Sequence, residues 1–446
     1  MTRLQDDIPA HLSEPNELKM LDLHFELDSS DLVPGARSTR HLIARVLAPA
    51  AQTAAERPPL DLAVVIDASG SMSGPRLEAA QRATADLAAR LPSSTRMTVV
   101  SFADDVIVHA DRVALDAEGV AEIQARVLGI HPRGCTNLGA GWQTACMLLE
   151  EAEAGRQRHV VLLSDGMANR GVVEPELLMT AARQKLDLGI TTSCVGVGDG
   201  YQTDQLAALA EHGGGELHDA ENAAEIIELL LGEVLSLSEI CAEDVQVSIA
   251  LPQGVRALEL AGMPSETDGQ RMTVCAGSLR AGASRTVVVR VEIDGDMAGN
   301  DVAFTAHADW RIPGEQDRLA TEALEVRAAP SDAAPASPTL EAARAVLTAW
   351  QSHLVLAITD LNRRGDRRGI KRTWAQEGSR FRDYARRYPE LESFIETLNQ
   401  LEKQSAQVMP ERMRKLTRDT AWKGARNIHA HYSADKGELH DQLMDA

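Results

Sequence analysis

The chain of 446 residues predicts an α/β fold: a doubly wound, Rossmann-like, mostly parallel sheet across its middle, inserted in a β-sandwich and followed by a C-terminal α-helical region. Three observations carry this. Apolar runs of strand length (Leu60–Ile66, Met97–Phe102, His159–Ser164, Thr191–Val197) alternate with stretches of helical spacing, as in parallel sheets covered on both faces. Short alternating segments, punctuated by turn residues, lie on both sides of that block. Beyond Pro338 the strand signals give way to helical periodicity.

Taken in order, Met20–Leu27 and His41–Ala48 alternate like strands around a Pro34-Gly35 turn. After the buried strand Leu60–Ile66, Ser73-Gly74-Pro75 opens a helix, with Pro where a missing N–H costs nothing. Leu77, Ala80, Thr84, Leu87, Ala88 and Leu91 continue it at helical spacing down to Pro92. Met97–Phe102 and Val106–Ala110 form a hairpin around Asp104-Asp105. Leu138–Glu153 is a helix, and Glu174–Leu188 is another, stopped by Gly189. Asp204–Glu211 is a helix ended by Gly213-Gly214-Gly215, Glu216–Asp219 a short strand, and Asn222–Leu237 a long apolar helix. Strands follow at Val245–Leu251, Arg256–Leu260, Arg271–Val274, Thr286–Ile293, Val302–Trp310 and Thr321–Val326. Residues 328–338, Ala- and Pro-rich, read as a linker. Helices are expected at Leu340–Leu361, Ile370–Tyr388, Glu390–Ser405 and Pro410–His429. The domain plan is therefore 1–57 as sandwich strands, 58–238 as the α/β domain, 239–327 as the sandwich remainder, 328–338 as linker and 339–446 as helical domain with a flexible tail.

The most informative stretch is Asp67-Ala68-Ser69-Gly70-Ser71, directly behind the first buried strand. A carboxylate and two hydroxyls at alternate positions can converge on one small hard cation, with the oxygen chemistry that suits Mg²⁺. Thr136, in Gly134-Cys135-Thr136-Asn137, and Asp165, in Leu163-Ser164-Asp165-Gly166, stand where two further loops would complete such a site. Alone, the first triplet is ordinary turn chemistry; the three loops in this order are not.

The combination resembles the metal-ion-dependent adhesion site of von Willebrand factor type A (VWA) domains, over roughly residues 58–238. The resemblance implies that Asp67, Ser69, Ser71, Thr136 and Asp165 hold a divalent metal, Mg²⁺ first, with Mn²⁺ or Ca²⁺ as substitutes. It implies a protein partner that presents an Asp or Glu to that metal. No Gly-x₄-Gly-Lys-Ser/Thr, His-Glu-x-x-His or Gly-x-Ser-x-Gly motif is present, and Gly196–Gly200 has Tyr201 where a dinucleotide fingerprint needs Gly. The expected role is thus an interaction module or scaffold rather than an enzyme. Two alternatives stay open: a metal-dependent hydrolase using the same site, and an adaptor for a chaperone-like ATPase partner in a bacterial stress or defence system.

Net charge is −21, but residues 338–446 carry 19 Lys and Arg against 15 Asp and Glu. Arg363, Arg364, Arg367, Arg368, Lys371, Arg372, Arg380, Arg382, Arg386 and Arg387 make the densest basic run. Against the acidic whole, docking on the body or solvation is the expected fate of these cations, not nucleic-acid binding. Residues 1–18 lack a signal-peptide profile, no apolar run is long enough for a membrane span, and five cysteines without paired spacing argue against a disulfide framework. A cytoplasmic, bacterial protein is the expectation.

Overall fold

The computed structural model describes residues 20–49, 58–165, 168–198, 203–220, 222–331 and 337–425. Expectations for residues 1–19, for the heart of the linker at 332–336, and beyond 425 lie outside them. Strands β1 (Asp22–Leu27), β2 (Asp31–Leu32) and β3 (Ser38–Leu47) come first. The α/β unit then runs β4 (Leu60–Asp67), α1 (Pro75–Arg90), β5 (Arg96–Phe102), β6 (Val106–Ala114), α2 (Ala117–Leu128), α3 (Leu138–Glu150), β7 (Gln157–Ser164), α4 (Pro175–Asp187), β8 (Ile190–Val197), α5 (Thr203–His212), β9 (Gly214–Ala220) and α6 (Ala223–Leu237). Next come β10 (Ile240–Ala250), β11 (Arg256–Glu259), β12 (Ser265–Asp268), β13 (Arg271–Arg280), β14 (Ser284–Ile293), β15 (Val302–Arg311), β16 (Arg318–Ala320) and β17 (Leu324–Pro330). The C-terminal helices are α7 (Leu340–Arg363), α8 (Arg367–Thr373), α9 (Ser379–Ala385), α10 (Glu392–Ser405) and α11 (Glu411–Ala425). A π-helical turn, Trp374–Gly378, joins α8 to α9.

The central sheet has the order β6-β5-β4-β7-β8-β9, parallel throughout except for β6. Its two faces are separately buried, as a doubly wound sheet requires. Leu62, Val64 and Ile66 of β4 join a core with Leu77, Ile123 and Leu230. Ala63 and Val65 of the same strand face the other core, with Trp142, Ala182 and Leu209. That alternation is why β4 reads as an unbroken apolar run. At roughly 1.5–3 kcal/mol per buried large aliphatic side chain, β4 is anchored firmly enough to fix the position of the loop that leaves it.

Chain segments from before and after this unit pair directly. β3 lies antiparallel to β14 from Leu47↔Ser284 to Ser38↔Ile293, in the sheet β1-β3-β14-β11. The second sheet runs β12-β13-β10-β15-β17-β2, with β16 also on β15. Both sheets share one core with Trp350, Phe381 and Leu398 of the C-terminal helices. Helix α7 lies against β3 and β14, so these strands are buried on both faces.

Four details correct the sequence expectations. Helix α2 lies in a stretch, 111–133, left without an element; Asp116 caps it by accepting from the Glu118 and Gly119 N–H groups. Gly119 in its first turn dilutes the helical signal, yet a Cβ there would lie 1.9 Å from the Ala114 carbonyl oxygen. The strand β12, all exposed, carries no apolar alternation and was equally invisible. The strand expected at Thr321–Val326 is split, because three residues, 321–323, oppose only His307 and Ala308 between the β16 and β17 pairings. The linker starts later than expected: Ala328–Pro330 finish β17, with Ala329 and Pro330 paired to Asp31 and Leu32.

The basic run docks as well as solvates. Arg363 pairs with Asp204, which Arg418 also reaches, while Arg382 pairs with Glu402 and Arg386 with Asp383 inside the helical region. All five cysteines are free. No helix among the described residues is long and apolar enough to cross a membrane.

Candidate metal centre

Backbone hydrogen bonds bring three loops together at the carboxyl ends of β4, β5 and β7. The Ala68 N–H donates to the Phe102 carbonyl (2.8 Å), and the Arg133 N–H to that of Ala68 (2.6 Å). The Gly70 N–H donates to the Gly134 carbonyl (3.2 Å) and the Asn137 N–H to that of Ala103 (3.0 Å). Thr136 is tied to the loop after Asp165: its carbonyl accepts from the N–H groups of Asn169 (3.1 Å) and Arg170 (3.3 Å), and its own N–H donates to Asn169 Oδ1 (3.1 Å). At Gly134 a Cβ would lie 1.6 Å from Asp104 Oδ2, so any larger residue would push the Asp104 carboxylate from its place. Asp104 in turn pairs with Arg170, and Asp105 with Arg133, so ion pairs brace the outside of the loops.

Within this frame the side chains form one chain of contacts. Asp67 is fully buried; Oδ1 accepts from the Ser69 N–H (2.8 Å) and Oδ2 from the Ser164 hydroxyl (2.6 Å). The Ser71 hydroxyl donates to Asp165 Oδ1 (2.7 Å). Its single hydrogen is thereby used, so across the 3.0 Å contact between the two hydroxyls Ser69 is the donor. Asp67, Ser69, Ser71 and Asp165 are thus brought together directly. Thr136, also buried, joins them through the backbone of its loop.

The electrostatics are those of a site short of positive charge. Burial pushes the Asp67 carboxyl above its ordinary range; hydrogen bonds from Ser164 and Ser69 oppose this, and the neighbouring Asp165 adds to it. Arg76 forms an ion pair with Asp165 Oδ2 from a half-exposed position. Among the described residues, Arg76 is the one cation paired with either carboxylate, and it meets Asp165 alone. The donors are hard oxygens, and the hydroxyls of Ser69 and Ser71 keep lone pairs beyond those their hydrogen bonds use. That set fits an oxygen-seeking divalent cation.

Arg76, Ser164 and Asn169 escaped the sequence reading. For Arg76 a signal was present: a cation in the first turn of a helix opposes the helix dipole, and so invites the question of which anion it serves. Ser164 adjoins Asp165, but its inward role depends on the parallel pairing of β4 with β7.

Comparison with known proteins identifies the domain and the fold. Residues 61–230 match the von Willebrand factor type A domain family. The fold is similar to that of a solved von Willebrand factor type A protein from Catenulispora acidiphila, with a TM-score of 0.68 at 17% identity, covering 93% of this chain and 99% of that one. It is also similar to the ArnB paralog VWA2 from Sulfolobus acidocaldarius (TM-score 0.56, 13% identity, 91% and 99% covered). Among curated sequences, the uncharacterized protein sll0103 of Synechocystis sp. is 23% identical over 295 residues, 63% of this chain and 69% of that one. Residues 61–230 are a VWA domain with a Rossmann-like, mostly parallel sheet, here accompanied by two further sheets and a helical C-terminal region.

Proposed function

We propose, from the premise that residues 61–230 are a VWA domain, that the chain is a divalent-cation-dependent protein-interaction module. Asp67, Ser69, Ser71, Thr136 and Asp165 would hold the ion, Mg²⁺ by donor chemistry, with Mn²⁺ or Ca²⁺ able to substitute. When bound, the ion supplies an electrophilic position that a partner's Asp or Glu can fill by displacing water. The observation that supports this reading most is the Ser69–Ser71–Asp165 contact series beside buried Asp67, which gathers carboxylates and hydroxyls from two loops with, among the described residues, one cationic side chain paired to them. The chain's own residues do the rest. Ser164 and the Ser69 N–H orient Asp67, Asn169 fixes the Thr136 loop, and half-exposed Arg76 offers a second positive group to an incoming acid.

The role is that of a binder rather than an enzyme, working in the cytoplasm. An ATPase carrying an exposed acid is one partner of this class. The test is an affinity capture with the full chain, with Mg²⁺ or with EDTA, comparing the parent with Asp67→Ala. Partner capture should require both the ion and Asp67. Capture unchanged by EDTA and by the substitution would reject the metal as the contact. Metal-dependent turnover of a phosphoester or peptide, lost in Asp67→Ala, would point to a hydrolase instead, and copurification of an ATPase would name the partner class.

A further inference from the structure

A second polar cluster is buried on the other side of the same domain. His159 is the third residue of β7 and is 1% exposed. His159 Nδ1 lies 2.7 Å from the Thr191 hydroxyl, which also sits 3.2 Å from the Arg158 carbonyl oxygen. A hydroxyl has one hydrogen, and a carbonyl can only accept. Thr191 therefore donates to Arg158 and accepts from His159 Nδ1–H, leaving Nε2 as a bare lone pair. That atom is fully enclosed and, among the described residues, meets no hydrogen-bond donor. Its neighbour is Glu233 Oε1 at 3.8 Å, another acceptor. Two electron-rich atoms face each other with nothing positive between them.

The surroundings complete a coordination set. His218 Nε2 lies 2.7 Å from Glu233 Oε2. Glu216 and His218, two apart on β9, project from one face of the strand. Ligand atoms of Glu216, His218 and Glu233 fall within 4.8 Å of one another. Tetrahedral zinc with arms of about 2 Å has ligand–ligand edges of about 3.4 Å, between the 2.7 and 3.8 Å contacts seen here. A cavity of about 50 Å³ borders His159, Glu216 and Glu233, giving a path to them from the groove against Cys275 and Arg280. The remaining polar contacts are structural. The Ser193 hydroxyl donates to Glu233 Oε1 (2.5 Å) and accepts from the Glu216 N–H (3.1 Å), and Arg280 stands 3.7 Å from Glu216 Oε1.

We propose that this cluster is a second divalent-cation site, of borderline-soft, zinc type, held by His218 Nε2, Glu233 and Glu216, with His159 Nε2, now near Glu233 alone among them, closing in as the fourth ligand on occupation. Imidazole nitrogens favour Zn²⁺ over Mg²⁺, so the two centres of the domain select different ions. Asp165 lies six residue steps beyond His159 along extended chain, placing the clusters on the order of 20 Å apart. Imidazole ligates only when unprotonated at the ligating nitrogen, so uptake weakens as pH falls. Burial already keeps His159 unprotonated, its pKa lowered to about 4. The ion would fasten α6, through Glu233, to β7 and β9.

The test is calorimetric titration of the full chain with Zn²⁺, in the Asp67→Ala background so that the first centre does not contribute. One ion per chain should bind, with release of protons and a rise in Tm. Affinity should fall at least ~100-fold in His159→Gln and about tenfold in the half-buried Glu216→Gln, whose folding is the safer of the two. Co²⁺ should give tetrahedral visible bands in the Asp67→Ala parent that the His159 variant loses. Absence of Zn²⁺ uptake by the parent, or uptake equal in both variants, would overturn the site.

Discussion

Two buried aspartates of this protein are treated in opposite ways. Asp244, at the junction of the VWA domain with the seven-stranded sheet, is met by three guanidiniums: Arg183 (2.8 Å), Arg311 (3.4 Å) and Arg318 (2.6 Å). Those arginines come from α4, β15 and β16, so the cluster clamps the VWA domain onto the sheet. Asp67 receives only neutral donors, and its neighbour Asp165 one half-exposed arginine. A carboxylate that the protein neutralises itself is architecture. A pair left short of positive charge is a place for a cation from outside.

The largest effect should follow from breaking the clamp. Asp244→Ala removes the carboxylate that three arginines share, leaving buried Arg311 with backbone carbonyls while Arg183 and Arg318 keep Asp187 and Asp309, and is expected to cost about 3–5 kcal/mol in urea unfolding. A loss below about 1 kcal/mol would mean that the cluster is not what joins the two parts. Asp67→Ala should behave inversely. Divalent-ion affinity should drop at least ~100-fold, about 2.7 kcal/mol, while ion-free stability shifts by less than about 1 kcal/mol. Two lost hydrogen bonds are then offset by removal of a buried, repelled charge.

Glu243 sharpens the contrast from within the clamp. It is buried beside Asp244, accepts from the Gln157 amide (2.9 Å), and burial pushes its carboxyl up to about 7 against the pull of Gln157, Arg311 and Arg158. With a folded pKa above the unfolded one, the native state holds the extra proton between about pH 4.5 and 7, so stability declines as pH rises through that window. Glu243→Gln should remove the slope and add about 3 kcal/mol at pH 8, with no gain at pH 4. Chemical denaturation at the two pH values reads this directly. The smallest effect is expected of Arg76→Ala. Losing a like charge beside the incoming ion should tighten Mg²⁺ binding about fivefold, roughly 1 kcal/mol after solvent screening. Weaker binding would make Arg76 a support for the site rather than a competitor.

How much of this was legible in the sequence depends on how far apart the cooperating residues lie. The strand β4 and its Asp67-x-Ser69-x-Ser71 loop announce themselves, because burial on both faces forces a continuous apolar run and the polar residues follow at once. Thr136 and Asp165 were legible because each also follows a strand or opens a helix. Asp244 was not: Glu243-Asp244 looks like a break before a strand, yet β10 begins at Ile240, with distant arginines meeting Asp244 and the Gln157 amide meeting Glu243. Asp244 adopts φ +48. His159, His218 and Glu233 share no spacing, and only the pairing of β7, β8 and β9 beneath α6 assembles them. Gly119 hid α2 by lowering its local propensity.

The central claim is that the Asp67 loops are the charge-deficient end of the domain. Its most direct test is Mn²⁺ binding followed by electron paramagnetic resonance, in a His159→Gln background that disables the second cluster. The expected result is one Mn²⁺ per chain, displaced by Mg²⁺ and lost in both Asp67→Ala and Ser71→Ala. Binding that persists undiminished in those two variants would contradict it.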